Sequence, residues 1–83
     1  MYKLHISAHA KAQIKNLPWL RQKAIIQALQ EIKEEPLWGK PLALDLTGRR
    51  SYRVGVYRII YKIYEKDKTI KVFAAGHRSI IYN

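Results

Sequence analysis

The chain has no cysteine and little acid: six Asp and Glu stand against 16 Lys and Arg in 83 residues, a formal charge of +10. Without cysteine there is no disulfide framework, no thiol nucleophile and no Cys-ligated zinc. The carboxylates are Glu31, Glu34, Glu35, Asp45, Glu65 and Asp67, and no spacing among them suits a divalent metal. His5 and His9 straddle an expected strand-to-helix boundary, so they are not placed to share a metal ion. No apolar run approaches membrane-spanning length, and Met1-Tyr-Lys-Leu-His-Ile6 lacks the apolar stretch of a signal peptide. Glycine and proline are sparse, 4 and 3 residues, with no Gly-rich phosphate loop and no Gly-x-Ser-x-Gly elbow. No repeat or low-complexity tract is present. These absences exclude most enzyme classes. They leave the expectation of a single soluble, cytoplasmic domain over residues 1–83 that needs no metal and no cofactor.

What is present is basic. So large a positive charge on so short a chain points to a polyanion or an acidic protein as partner. Tyr2, Leu4 and Ile6 alternate with Lys3 and His5 as a short half-buried strand does. Ser7 is placed as the N-cap of a helix over about 8–16, with Ala10, Ile14 and Leu17 on one stripe. Pro18 opens a second helix that runs to about Glu34 and buries Ile25, Ala28, Leu29 and Ile32; Pro36 ends it. Residues 37–48 read as a packed connecting loop. Three antiparallel strands are expected at about 49–54, 57–65 and 69–75, with Asp67-Lys68 as the second turn. The fold expected is α+β, in the order β-α-α-β-β-β, with a helical hairpin on one face of a small, mainly antiparallel sheet.

The other face carries the chemistry. In Arg50-Ser-Tyr-Arg-Val-Gly-Val-Tyr-Arg-Ile-Ile-Tyr61, Gly55-Val56 reads as a two-residue type II′ turn. That register sets Arg53 directly opposite Arg58, and opposed like charges destabilise a ladder. Lys62 falls on the same face, and Gly76-His77-Arg78 ends the next strand. An anion accounts for such a cluster. RNA fits, because its cleavage needs no metal when the 2′-hydroxyl is the nucleophile. The reaction needs cations for the charged phosphorane, an acceptor for the 2′ proton and an acid for the 5′-oxygen. Arg53, Arg58 and Arg78 can bind and stabilise, but with pKa values above about 12 they carry protons poorly. His77 and Tyr82 are the proton-transfer groups at hand. Tyr52, Tyr57, Tyr61 and Tyr64 read as sheet packing, and Trp19 and Trp38 as core or interface anchors.

Several motifs, in order, resemble the RelE/ParE superfamily of toxin–antitoxin toxins, and its RelE branch in particular. Ser7 to Pro18 looks like the family's opening helix, and Pro36-Leu-Trp-Gly-Lys-Pro-Leu42 like its loop into the sheet. Leu46-Thr-Gly48 followed by Tyr52-Arg-Val-Gly-Val-Tyr-Arg-Ile-Ile-Tyr61 matches its central strand pair. Gly76-His-Arg-Ser-Ile-Ile-Tyr82 looks like its C-terminal Gly-His-Arg-x-x-x-Tyr signature. The resemblance implies a microbial RNase-like fold and a ribosome-dependent endoribonuclease that cuts messenger RNA in the A site without a metal. It implies as well a cognate antitoxin, generally acidic, that wraps and blocks the toxin. By position, Arg58 and Arg78 match the family's phosphate-stabilising arginines and Tyr82 its C-terminal tyrosine. Arg49, Arg50, Arg53 and Lys62 are the further residues expected to bind RNA. Two departures stand out. Arg49-Arg50-Ser51 replaces the lysines of well-studied members, which shifts weight for the general base to His77, and Val56 replaces a turn aspartate. A ParE-like inhibitor of DNA gyrase and a non-catalytic basic nucleic-acid-binding relative remain as alternatives.

Overall fold

The alternation in Lys3-Leu-His-Ile6 forms strand β1 (Lys3–Ile6), with Leu4 and Ile6 turned toward the core. A computed structural model describes residues 2–38, 40–41 and 48–81. The Ser7 side chain accepts from the Ala10 backbone N–H at 3.1 Å and so caps α1 (Ala8–Lys15). It satisfies a donor that the helix itself leaves unpaired. Helix α2 (Trp19–Glu34) starts after Pro18, whose φ of −54° suits a helix entry. The Gln22 side-chain amide donates to the carbonyls of Leu17 and Lys15, tying α2 to the end of α1. After a 3₁₀ turn at Pro36–Trp38 come β2 (Lys40–Pro41), β3 (Arg50–Val54), β4 (Tyr57–Tyr64), β5 (Thr69–His77) and a short α3 (Arg78–Ile81).

The sheet order is β1-β5-β4-β3-β2, with β1 parallel to β5 and every other pair antiparallel. The expected architecture is present, with three additions. The segment read as loop contains β2, a two-residue edge strand pairing Lys40 with Ser51 and Pro41 with Arg50. A strand this short has no readable alternation, and proline is tolerated there because the edge needs no further donor. The last strand runs on to His77, and α3 follows it directly. The second turn is a four-residue loop, Glu65 to Lys68, in which the Lys68 N–H donates to the Glu65 carbonyl and Lys68 takes φ +49°. The first turn is as expected: Gly55 has φ +61°, open to glycine without strain, and Val56 does not share the positive region.

The core lies between the helices and one face of the sheet. Ile25, Ala28, Leu29 and Ile32 of α2, with Ala10 and Ile14 of α1, meet Ile59, Tyr61, Ile70, Val72 and Ala75. Each fully buried isoleucine contributes about 1.5–3 kcal/mol through the apolar surface it removes from water. Tyr61 is wholly buried, and its hydroxyl donates to the Pro36 carbonyl, which fixes the chain where α2 ends. Tyr52 reaches Glu31 of α2 at 2.9 Å. Beyond β1 the outer edge of β5 is closed by Gln13, whose side-chain oxygen accepts from the Ala75 N–H at 2.9 Å. Of the two readings offered for Trp19, core or interface anchor, its 66% exposure excludes the core. The Trp38 side chain lies outside the described residues.

Candidate functional site

Alternation along β3 and β4 divides their side chains cleanly. Tyr52, Val54, Tyr57, Ile59 and Tyr61 face the helices. Ser51, Arg53, Arg58, Ile60, Lys62 and Tyr64 take the opposite, open face, where Ile60 is buried yet stands apart from the main core cluster. Arg53 pairs with Arg58 across the ladder and Val54 with Tyr57, as the glycine turn requires. The turn also organises the guanidiniums. The Gly55 carbonyl accepts from Arg58 Nη1 at 3.0 Å and from Arg53 Nε at 3.4 Å, and Arg58 Nη1 reaches the Tyr57 carbonyl at 3.0 Å as well. One carbonyl thus holds both cations near each other despite their repulsion. Arg53 is exposed and Arg58 half-buried.

Arg78 joins them through the backbone. Its N–H donates to the Val56 carbonyl at 2.9 Å, seating the start of α3 beside the turn. Gly76 lies opposite Arg58, and a Cβ at Gly76 would approach Ile81 Cδ1 to 3.8 Å. The chain after Arg78 therefore folds back onto the arginine end of the sheet. Tyr82 lies just past Ile81, outside the described residues.

His77 does not stand with the arginines. The register sets it opposite Tyr57, and the two rings meet edge to face at 5.9 Å and 78°. Tyr57 in turn lies under the Arg21 guanidinium of α2, 5.9 Å from its ring centre. The Gly76-His77-Arg78 cluster is thereby split, because consecutive strand residues point to opposite faces. His77 occupies the helical side at the strand's end. Ser79 holds its Nδ1 by two contacts, the backbone N–H at 3.1 Å and Oγ at 2.9 Å. The N–H serves a bare Nδ1 and the hydroxyl a protonated one, so Nε2 is the nitrogen left for another partner.

The remaining RNA candidates divide likewise. Arg49 lies over the Phe73 ring at 4.3 Å. Arg50 is in register with Tyr61 and Pro41, on the helical side, away from Arg53. Lys62 is on the open face, in register with Lys71. No strand contains an Asp or Glu among the described residues, so the open face is cationic without internal neutralisation. Lys71 and Tyr64, which were not among the RNA candidates, sit beside Lys62, a placement that depends on the register across the second turn.

A helical hairpin over one face of a mainly antiparallel sheet is the fold shared with solved RelE toxins. The isolated E. coli RelE toxin superposes with a TM-score of 0.80 at 19% identity, over 99% of this chain and 92% of that one. The toxin–antitoxin complex RelBE2 from Mycobacterium tuberculosis gives a TM-score of 0.85 at 30% identity, covering 93% of this chain and 98% of that chain. In sequence, Toxin RelG of Mycobacterium tuberculosis is 32% identical over 83 residues, 98% of this chain and 95% of that protein. The profile of the ParE toxin of type II toxin–antitoxin systems (parDE) matches residues 4–82, and the chain belongs to this family, within the RelE/ParE superfamily.

Proposed function

We propose that this toxin is a metal-independent endoribonuclease that cleaves messenger RNA in the ribosomal A site. The observation that carries the reading is the Arg53–Arg58 pair held on one turn carbonyl, with Arg78 seated beside that turn. A gyrase inhibitor or an inert binder has no need of two guanidiniums held together with a third arginine's backbone seated beside them. A phosphorane does, since its extra charge is stabilised by cations already in place.

In the proposed reaction the RNA 2′-hydroxyl loses its proton and O2′ attacks the adjacent phosphorus. The P–O5′ bond then breaks and O5′ takes up a proton. The products are a 2′,3′-cyclic phosphate and a 5′-hydroxyl. Arg58 and Arg78 bind the non-bridging oxygens, and Arg53 supports the same phosphate. Tyr82 is the proposed proton-transfer group at this phosphate; His77, against Tyr57 on the helical side, is set apart from it. The proposed partners are messenger RNA on the ribosome and a cognate acidic antitoxin, in the cytoplasm. An antitoxin partner is supported by relatives whose structures are toxin–antitoxin complexes.

The test is pulse labelling after induction in bacteria. Protein synthesis should stop first, while DNA synthesis continues, and Arg78→Ala should relieve the block. Early arrest of DNA synthesis with protein synthesis intact would replace this reading with gyrase inhibition. No arrest of either would leave a non-catalytic relative.

A further inference from the structure

A second cationic row crosses the open face, away from the arginine end. Lys62 of β4 pairs directly with Lys71 of β5, and Lys71 is level with His5 of β1. Three adjacent strands thus present Lys62, Lys71 and His5 side by side. Like the Arg53–Arg58 pair, Lys62 and Lys71 are opposed like charges, which destabilise a ladder.

The two lysines do not splay apart. Both ammoniums lie over the Tyr64 ring, Lys62 Nζ at 5.2 Å and Lys71 Nζ at 5.0 Å from its centre. Each ammonium is within the attraction of that one ring's π-system. No carboxylate neutralises them among the described residues, where the nearby turn instead pairs Lys68 with Glu65 at 3.7 Å. A pair of ammoniums converging on one aromatic ring, unpaired by acid, is built to share an anion.

Its distance from the first site names that anion. Arg58 and Lys62 lie four residues apart on one face of β4, roughly 13 Å along the strand. Between the two rows lie the buried Ile60 and the half-buried Phe73, whose ring Arg49 covers. We propose that Lys62, Lys71 and Tyr64, flanked by His5, form a second phosphate site that anchors the same RNA strand whose scissile phosphate lies at Arg53–Arg58. The inference rests on the reading of the open face as an RNA surface, and the test separates the two.

The probe is a fluorescent single-stranded 2′-O-methyl oligoribonucleotide, uncleavable and long enough to span both rows, titrated by anisotropy across a salt series without ribosomes. The double variant Lys62→Gln, Lys71→Gln is expected to bind about fivefold or more weakly. Its slope of log affinity against log salt should fall by about 0.7 to 1.4, the release expected for one or two phosphate contacts on a single strand. Its melting temperature should hold or rise, because an opposed like-charge pair is gone. The charge-matched control Lys11→Gln, Lys15→Gln on α1 should bind normally.

Unchanged binding by the Lys62, Lys71 variant, with loss in Arg53→Gln, Arg58→Gln, overturns the anchor and leaves the RNA face standing. Unchanged binding in both variants overturns the RNA face together with the anchor. Equal loss in the α1 control reduces the effect to net charge and overturns the anchor. A lower melting temperature with intact binding would make the lysines mere partners of Tyr64, and would overturn it too.

Discussion

Arg58 illustrates how a residue's task is set by what holds it. Its guanidinium is half-buried and tied to two backbone carbonyls, so it is preorganised and still has N–H donors to offer. Preorganised cations stabilise a developing charge without rearranging as it forms. Arg58→Ala and Arg78→Ala are each predicted to lose about 10²-fold or more in cleavage, measured as single-turnover rates on ribosome-bound messenger. Near-wild-type rates in both would remove the arginines from the chemistry. Tyr52 carries a different kind of consequence. Burial first, and then the hydrogen bond to Glu31, hold its phenol above the ordinary value of 10.0. The folded state therefore favours the neutral phenol. The stabilisation is fully present below about pH 10 and is lost as the pH rises through the folded-state value. Tyr52→Phe should lower the melting temperature near neutrality, where the hydrogen bond is missing, and flatten the decline seen on going alkaline. Melting curves between about pH 8 and pH 11 check this; parallel declines would show that Tyr52 does not set the alkaline limb.

At the scale of elements, the β3–β4 hairpin joins stability to function through Gly55. An L-residue there must adopt a left-handed conformation, at a cost of roughly 1–2 kcal/mol. Gly55→Ala is predicted to destabilise the fold by about that amount in urea titrations and to slow cleavage as well, since the Gly55 carbonyl positions Arg53 and Arg58. A loss of stability with an unaltered rate would separate the turn from the site. This hairpin was legible in the sequence because one glycine fixes its register, and with it the arginine pair. Other elements show where legibility stopped. Taking Asp67-Lys68 as the turn would set Lys62 opposite Phe73; the observed loop from Glu65 to Lys68 sets it opposite Lys71. The shift is small, yet it hid the second cationic row. A bulge between Ile60 and Tyr61 then resets the pairing toward His77. His77 was grouped with the arginines by its nearness in sequence, and the strand's alternation parts them. Helices α1 and α2 were read correctly from Ser7, Pro18, Pro36 and their apolar stripes, which are local, whereas α3 was not read and cross-strand partners depend on turns and bulges that propensity does not specify.

Over the molecule as a whole, charge is segregated. The described carboxylates gather at the C-terminal part of α2 and in the loop after β4, while the strands hold none. With a formal charge of +10, the resulting field draws anions toward the sheet and an acidic partner along with them. Binding to single-stranded RNA should therefore fall steeply with salt. Four phosphate contacts would cost about 50-fold in affinity between about 50 and about 200 mM. A flat salt response would show that the phosphates are not what the face recognises.

The central claim is that these cations serve ribosome-dependent cleavage by the RNA's own 2′-hydroxyl. Primer extension on a defined messenger, with purified toxin and programmed ribosomes, tests it most directly when the same messenger without ribosomes is run beside it. The prediction is discrete cuts at A-site codons only in the presence of ribosomes, 5′-hydroxyl ends on the downstream fragments, and near-complete loss of cutting with Arg58→Ala. Folded wild-type toxin that leaves the ribosome-bound messenger intact would contradict the account.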